Sequence, residues 1–201
     1  MRWEPCWLAE DDIPESLHTT METAAWELAQ AGLSVQILLD KGLAADAYEI
    51  TERQGETHIC GGATGVLYGA YCLLFCRKLG IPIPKGLQAP AFALRMLNHW
   101  DNMDGTVERG YAGSSLFLRD GAFINDWPRL RGYARMLASV GINAVCLNNV
   151  NVRPPADGLI MEEMLPKLAK AADLLRAYGI RLITAIDYAL PHTMGLGTAD
   201  P

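Results

Sequence analysis

The chain has 201 residues, half of them hydrophobic and a fifth charged, a composition that suits an ordinary globular core and surface. That length accommodates one large domain or two small ones. The net charge of −6 offers no broad basic field for a phosphate backbone, so nucleic acid is not an expected partner, and any anionic ligand would need local basic groups.

Residues 1–88 alternate short helices and strands. "PESLHTTMETAAWELAQAG" (14–32) is expected to form a helix ending at Gly32, with a thin apolar stripe. "SVQILL", "AYEIT" and "THIC" are strand-like, the last two separated by the polar turn "ERQGE". From Gly65 to Leu79, "GVLYGAYCLLFCRKL" reads as a buried helix, in which Gly65, Gly69 and Ala70 let the backbone lie close against a sheet. Gly80, followed by Pro82 and Pro84, ends it. The Pro- and Gly-rich "GIPIPKGLQAP" marks a boundary, which gives a small α/β domain over 1–88 and a second domain over 89–201.

Beyond the boundary, "AFALRMLNHW" (91–100) reads as a strand leading into the glycine-punctuated "DNMDGTVERGYAG". "DWPRLRGYARMLASVG" is a helix with Trp127, Leu130, Tyr133, Ala134, Leu137 and Ala138 as its buried stripe. "INAVCLNNV" is a near-continuous apolar strand. "MLPKLAKAADLLRAYG" is a helix with Leu165, Leu168, Ala172 and Leu175 on one face and Pro166 in its first turn, and "IRLITAIDYA" is another apolar strand. A weak repeat of helix, Gly-Ile and strand recurs, with the Gly-Ile pairs at 141 and 179. Such βα units feed parallel strands buried on both faces.

No G-x-G-x-x-G marks an open doubly wound sheet, so a barrel is favoured. The expected fold class is therefore α/β: a small mixed α/β N-terminal domain followed by the first three βα units of an incomplete (β/α)8 TIM barrel. A complete barrel takes about 250 residues, and three strands cannot close, so the chain reads as a portion of a longer protein.

The cysteines are Cys6, Cys60, Cys72, Cys76 and Cys146. An odd count without Cys-x-x-Cys resembles neither a disulfide framework nor a zinc site, and Cys72 and Cys76 read as small core residues. This usage fits a reducing compartment. "MRWEPCWLAEDDIP" has no signal pattern and no run is long enough to span a membrane, so the expectation is a cytoplasmic protein without a membrane partner.

In barrels the reacting groups gather at the C-terminal ends of strands and in the loops that follow. Three such places are present: the stretch opening with His99, Trp100 and Asp101; "LNNVN" (147–151); and "IDYALPHTMG" (186–195). All three are rich in groups that bind sugar hydroxyls. Trp100, at a strand end and flanked by polar residues, points to a platform lining a pocket rather than to a core plug. Asp101 and Asp104 read as loop caps through Asx turns, and Glu108 and Arg109 as charges that fix the loop. Asn is depleted within strands, so Asn148 and Asn149 at a strand end point to polar contacts in a pocket. Asp187 is the best-placed lone carboxylate. Glycoside hydrolysis needs two carboxyls about 5–5.5 Å apart for retention or about 6.5–9.5 Å apart for inversion. No pair here qualifies, so no catalytic residue is assigned. His192 reads as a ligand contact or a solvated loop histidine. His18, His58 and His99 form no metal set, and no Ser/His/Asp constellation is legible.

The longest of these stretches resembles a known family. "RMLNHWDNMDGTVERGYAGSSLF" (95–117), "GINAVCLNNVN" (141–151) and the final "TADP" resemble the bacterial and fungal α-glucuronidases of glycoside hydrolase family 67. "YEITERQGETHICGGATGVLYGAYCLL" (48–74) resembles the small α/β domain that precedes the barrel in this family and in hexosaminidases. The resemblance implies removal of 4-O-methyl-glucuronic acid, α-1,2-linked to the terminal xylose of xylo-oligosaccharides. It also implies inversion, no cofactor and a homodimer. Trp100 would wall the uronic-acid pocket, and Val150 would contact the uronate near its 4-O-methyl group. The catalytic acid, the base-side carboxylates and the basic uronate clamp would lie on later strands, beyond residue 201, so the chain alone is expected to be inactive. One departure concerns Asp187, where the family typically has Asn; an extra acid near a uronate is unfavourable unless it is paired or turned away. Two other readings stay open, a non-catalytic carbohydrate-binding or scaffolding module and another barrel glycosidase such as a hexosaminidase relative. Against the latter, no adjacent Asp-Glu pair stands at a strand end.

Overall fold

The computed structural model describes residues 13–147, 159, 161–185 and 195. The chain divides into two compact units, one taking in residues up to Arg95 with 131–143 and 174–180, the other 96–130, 144–173 and 181–201.

Helix α1 (Thr20–Gln30) starts at a capping box. The Glu22 amide donates to Thr19 Oγ1 at 3.2 Å, and the Glu22 carboxylate accepts the Thr19 amide at 2.9 Å. This local pairing sets the start well after Pro14, where the helix was expected to begin. Strands β1 (Val35–Leu39), β2 (Tyr48–Arg53) and β3 (Glu56–Gly61) follow, then helix α2 (Gly65–Leu79). The sheet order is β1-β3-β2, with β1 parallel and β2 antiparallel to β3. The β2–β3 hairpin turns on Gln54 and Gly55, both at positive φ, as a two-residue type I′ turn requires. Helix α2 packs by the expected close approach: a Cβ on Gly69 would meet Ile59 Cγ2 of β3 at 2.7 Å, and one on Gly65 would meet the Ala47 carbonyl oxygen at 1.9 Å. Val66, Leu67, Ala70 and Leu73 of the helix are buried, as is Ile59. Each large apolar side chain taken from water contributes about 1.5–3 kcal/mol, which makes this face the main attachment of helix to sheet.

The remaining elements are β4 (Met96–Asn98), β5 (Leu118–Arg119), β6 (Ala122–Phe123), α3 (Trp127–Ser139), β7 (Ala144–Cys146), α4 (Leu165–Arg176) and β8 (Arg181–Ile183). Strands β4, β7 and β8 form a separate parallel sheet in that order, with Met96, Ala144 and Arg181 in register. The βα units therefore do feed parallel strands. Burial departs from expectation, because only the central β7 is wholly buried. Strands β4 and β8, each paired on one side among the described residues, expose Met96, Leu97 and Ile183. Strand β4 is also shorter than its apolar run. Arg95, expected inside it, is held instead by side-chain bonds: its amide donates to Asn143 Oδ1 at 2.9 Å, and its guanidinium to Asp46 at 2.7 Å and the Phe92 carbonyl at 2.6 Å.

Each of the helices α1 to α4 ends on one device. Gly32, Gly80, Gly141 and Gly179 sit at positive φ, and the next amide in each case bonds back, Leu33 to Leu28 and Ile81 to Cys76, Ile142 to Leu137 and Ile180 to Leu175, at 2.9–3.1 Å. This is the Schellman stop, in which glycine takes the left-handed position and an apolar residue follows. The Gly-Ile repeat seen in the sequence is that stop signal. In α3 the expected stripe is buried at Leu130, Ala134, Leu137 and Ala138 and only half-buried at Trp127 and Tyr133, with Arg135 added. In α4 the face is rotated: Leu165 is exposed, and Leu168, Ala171, Leu174 and Leu175 are buried.

Arg135 is buried in the first unit because Glu27 of α1 is there to receive it. Its Nε and Nη2 donate to the two Glu27 carboxylate oxygens, each at 2.6 Å, and the Tyr71 hydroxyl of α2 donates to Glu27 at 2.9 Å. The guanidinium carbon lies 5.2 Å from the centre of the Trp26 ring. Burial, then the Glu27 charge, raise the Tyr71 phenol well above its ordinary pKa, so it stays a donor.

Candidate functional site

Strand β4 ends at Asn98, yet the His99 amide still donates to the Cys146 carbonyl of β7, at 2.8 Å. Trp100, half-buried, thus stands at the C-terminal edge of the parallel sheet. Parallel α/β sheets carry their ligands at this edge.

From Trp100 the chain enters a long loop built by its own polar side chains. Asn102, 1% exposed, is its hub. The Asn102 side-chain amide donates to the Thr106 carbonyl at 3.2 Å, Thr106 Oγ1 at 3.0 Å and the Glu108 carbonyl at 2.7 Å. Asp104 accepts the Thr106 amide at 2.8 Å and its hydroxyl at 2.6 Å, the expected Asx turn. The Glu108 amide donates to the Trp100 carbonyl at 2.7 Å, which ties the loop back to the strand end. Gly105, at φ +90°, lies so close to β5 that a Cβ would stand 2.9 Å from the Leu118 carbonyl oxygen. The β5–β6 hairpin turns on Asp120 and Gly121, again both at positive φ.

Asp101 does not form the expected Asx turn. Buried at 2% exposure, it accepts the Ser115 hydroxyl on Oδ2, while Ser115 Oγ accepts the amides of Phe117 at 3.0 Å and Leu118 at 2.8 Å. Asp101 Oδ1 lies 3.5 Å from His99 Nδ1. His99, Asp101 and Ser115 are therefore brought together, with the carboxylate in the middle. The Ser115 hydroxyl donates its hydrogen bond to Asp101 rather than to an imidazole, so the group lacks the order of a nucleophile and its base. Aromatic rings back this corner. His99 meets Phe117 edge-on at 5.0 Å, Phe123 stacks on Trp127 at 5.8 Å, and Lys170 Nζ lies 4.4 Å from the centre of the Trp127 ring.

At the loop's outer end, Tyr111 donates its hydroxyl to Glu108 Oε1 at 2.5 Å, and this bond to a carboxylate raises the phenol's pKa. Trp100 is the one predicted sugar contact that falls among the described residues; Asn148, Asn149 and Val150, like Asp187 and His192, lie outside them. Asn102 and Ser115 organise the loop and were not singled out from the sequence. Asn102 had a local signal, since its acceptors lie within the same short loop, whereas the Asp101–Ser115 bond has none. Among the described residues no three His, Cys, Asp or Glu side chains gather as metal ligands would, and no helix is long and apolar enough to cross a membrane.

Residues 82–201 match the glycosyl hydrolase family 67 middle domain. A "Probable alpha-glucuronidase A" from Aspergillus clavatus is 38% identical over 162 residues, and one from Aspergillus fumigatus is 40% identical over 162 residues; each alignment covers 79% of this chain and 19% of the relative. The chain thus spans about a fifth of the length of these curated relatives. Among solved structures, a GH138 enzyme targeting pectin rhamnogalacturonan II shares the fold, with a TM-score of 0.54 at 16% identity over 82% of this chain and 28% of that one.

Proposed function

The chain belongs to glycosyl hydrolase family 67, and from that premise we propose that the whole protein carrying it is an inverting xylan α-1,2-glucuronidase. It would release (4-O-methyl)glucuronic acid from xylo-oligosaccharides. One carboxylic acid protonates the leaving xylose oxygen as the glycosidic C–O bond breaks. A carboxylate on the opposite face takes a proton from the water whose oxygen bonds to the anomeric carbon.

The 201 residues contribute a wall of the pocket, and the reacting carboxyl pair comes from other parts of the protein. In support, the acids of the strand-end loop are already committed: Asp101 to Ser115, Asp104 to Thr106 and Glu108 to Tyr111. Trp100 faces the uronic acid, Asn148 and Asn149 bind its hydroxyls, and Val150 lies by the 4-O-methyl group. No cofactor takes part: the glycosyl group passes from the xylose oxygen to water without a change of oxidation state, and carboxyls move the protons.

In this reading residues 1–88 form a hexosaminidase-like α/β domain, and 89–201 form the first three βα units of a (β/α)8 catalytic barrel. The parallel order β4-β7-β8 supports the barrel, and the edges of β4 and β8 left unpaired among the described residues are where further strands would pair. The protein acts in the cytoplasm as a homodimer, without nucleic-acid or membrane partners.

The family match over 82–201, which contains the whole strand-end loop, carries this proposal. Its test is proton NMR of the whole protein with 4-O-methyl-glucuronosyl-xylotriose. Free glucuronic acid should appear first as the β-anomer, the product of inverting an α-linkage. No release overturns the assignment, and release first as the α-anomer overturns inversion. The 201-residue chain alone should release nothing; turnover by it would overturn the placing of the carboxylates.

A further inference from the structure

An exposed tyrosine ordinarily has only water for its hydroxyl, and Tyr111, 72% exposed, has a protein partner instead. Its hydroxyl is fixed on Glu108 Oε1 at 2.5 Å. Glu108 is itself immobilised: its amide is on the Trp100 carbonyl at 2.7 Å, and its carbonyl accepts Asn102 Nδ2 at 2.7 Å. Its backbone sits at φ 57°, a left-handed conformation that is unfavourable for a residue with a side chain and that surrounding structure must enforce. A strained residue, braced by a buried asparagine and tied by its amide to the Trp100 carbonyl, therefore holds an exposed aromatic ring on the loop that follows Trp100.

We propose that Tyr111 is a stacking platform for the xylose chain of the substrate, preset by Glu108, a proposal that rests on the family 67 reading above. The polar end of the phenol is already taken by Glu108, which leaves the ring face for an apolar contact. Xylose is neutral and lacks an exocyclic hydroxymethyl group, so a flat C–H face can lie on the phenol ring. Trp100 and Tyr111 then divide the substrate, the first meeting the sugar that is cleaved off and the second the chain that is left behind. Because the ring is already oriented, little side-chain freedom is lost on binding.

The test uses the whole protein. Tyr111→Ala should raise KM for glucuronosyl-xylotriose roughly two- to tenfold, the range expected of one aromatic contact. The kcat should hold, as should KM for glucuronosyl-xylose. Tyr111→Phe, which keeps the ring, should recover most of the affinity. Equal KM changes for both substrates, or a Phe variant as weak as the Ala variant, overturn the platform. Calorimetry with unsubstituted xylotriose is independent of hydrolysis: binding weakened by Tyr111→Ala supports the platform, and equal binding or none to either protein overturns it. Xylotriose binding through Tyr111 without glucuronic acid release would sink the functional reading and leave the platform standing.

Discussion

Glu27 and Arg135, 108 positions apart in the sequence, meet as a buried bidentate ion pair with both contacts at 2.6 Å. Their side chains are 1% and 6% exposed, so neither charge has water to fall back on. Arg135→Ala strands the carboxylate with the Tyr71 hydroxyl and should cost about 3–5 kcal/mol in urea unfolding. The double variant Glu27→Gln, Arg135→Met removes both charges and should be milder. A loss under about 1 kcal/mol in the single variant would contradict the pairing.

Ser115 is the hinge between Asp101 and the start of β5. Ser115→Ala deprives a buried carboxylate of its donor and the Phe117 and Leu118 amides of their acceptor. The expected cost is about 1–3 kcal/mol. Amide exchange at 117 and 118 should speed up beyond what the global loss explains; unchanged relative protection there would refute the role.

Gly105 and Gly113 separate two penalties. Both have positive φ, but only at Gly105 would a Cβ strike backbone, the Leu118 carbonyl oxygen at 2.9 Å; at Gly113 nothing lies within 4 Å. Each change to alanine carries the strain of the left-handed backbone, about 1 kcal/mol or more. Gly105→Ala adds the clash and should be clearly the worse in thermal unfolding. Equal melting temperatures would count against the packing described.

Glu22 makes the start of α1 sensitive to acid. The amides of His18 and then Thr19, each 2.9 Å from Glu22 Oε2, hold its carboxyl below the usual Glu value. With the folded pKa below the unfolded one, the unfolded state takes up the proton first as pH falls. The capping contribution is therefore complete above about pH 4.3, the unfolded Glu value, and is lost as pH drops through the lower folded value. The stability gap between wild type and Glu22→Gln should be open at neutral pH and narrow toward pH 3. A gap independent of pH would rule this out.

What the sequence disclosed follows from the range of each signal. The helix stops at Gly32 and Gly80 and the turn between β2 and β3 depend on adjacent residues, and they were legible as glycine placement and a polar break, while Gly141 and Gly179 showed only as a Gly-Ile repeat. The Thr19–Glu22 box is equally local, but the helix-compatible run from Pro14 masks it. Asp120-Gly121 carries the same hairpin signal as Gln54-Gly55, but β5 and β6 are two residues each and show no alternation to frame it. The Glu27–Arg135 pair had no signature, since a glutamate and an arginine on amphipathic helices read as surface residues until the helices are packed. The placing of Trp100 just past a strand end was legible from its position after an apolar run. The tether from Glu108 to Tyr111 was not, because a charge read as fixing the loop does not say which side chain it holds.

The bonds that shape the strand-end loop are nearly all short in range: Asn102 to Thr106 and Glu108, Asp101 to Ser115, Leu118 to Phe123. Closing about ten residues takes roughly 10–100 ns and costs little chain entropy, whereas the Glu27–Arg135 pair must wait for distant helices to find each other. The loop should therefore assemble early in folding. A nascent chain would then carry its finished rim while its buried charges are still hydrated and apart.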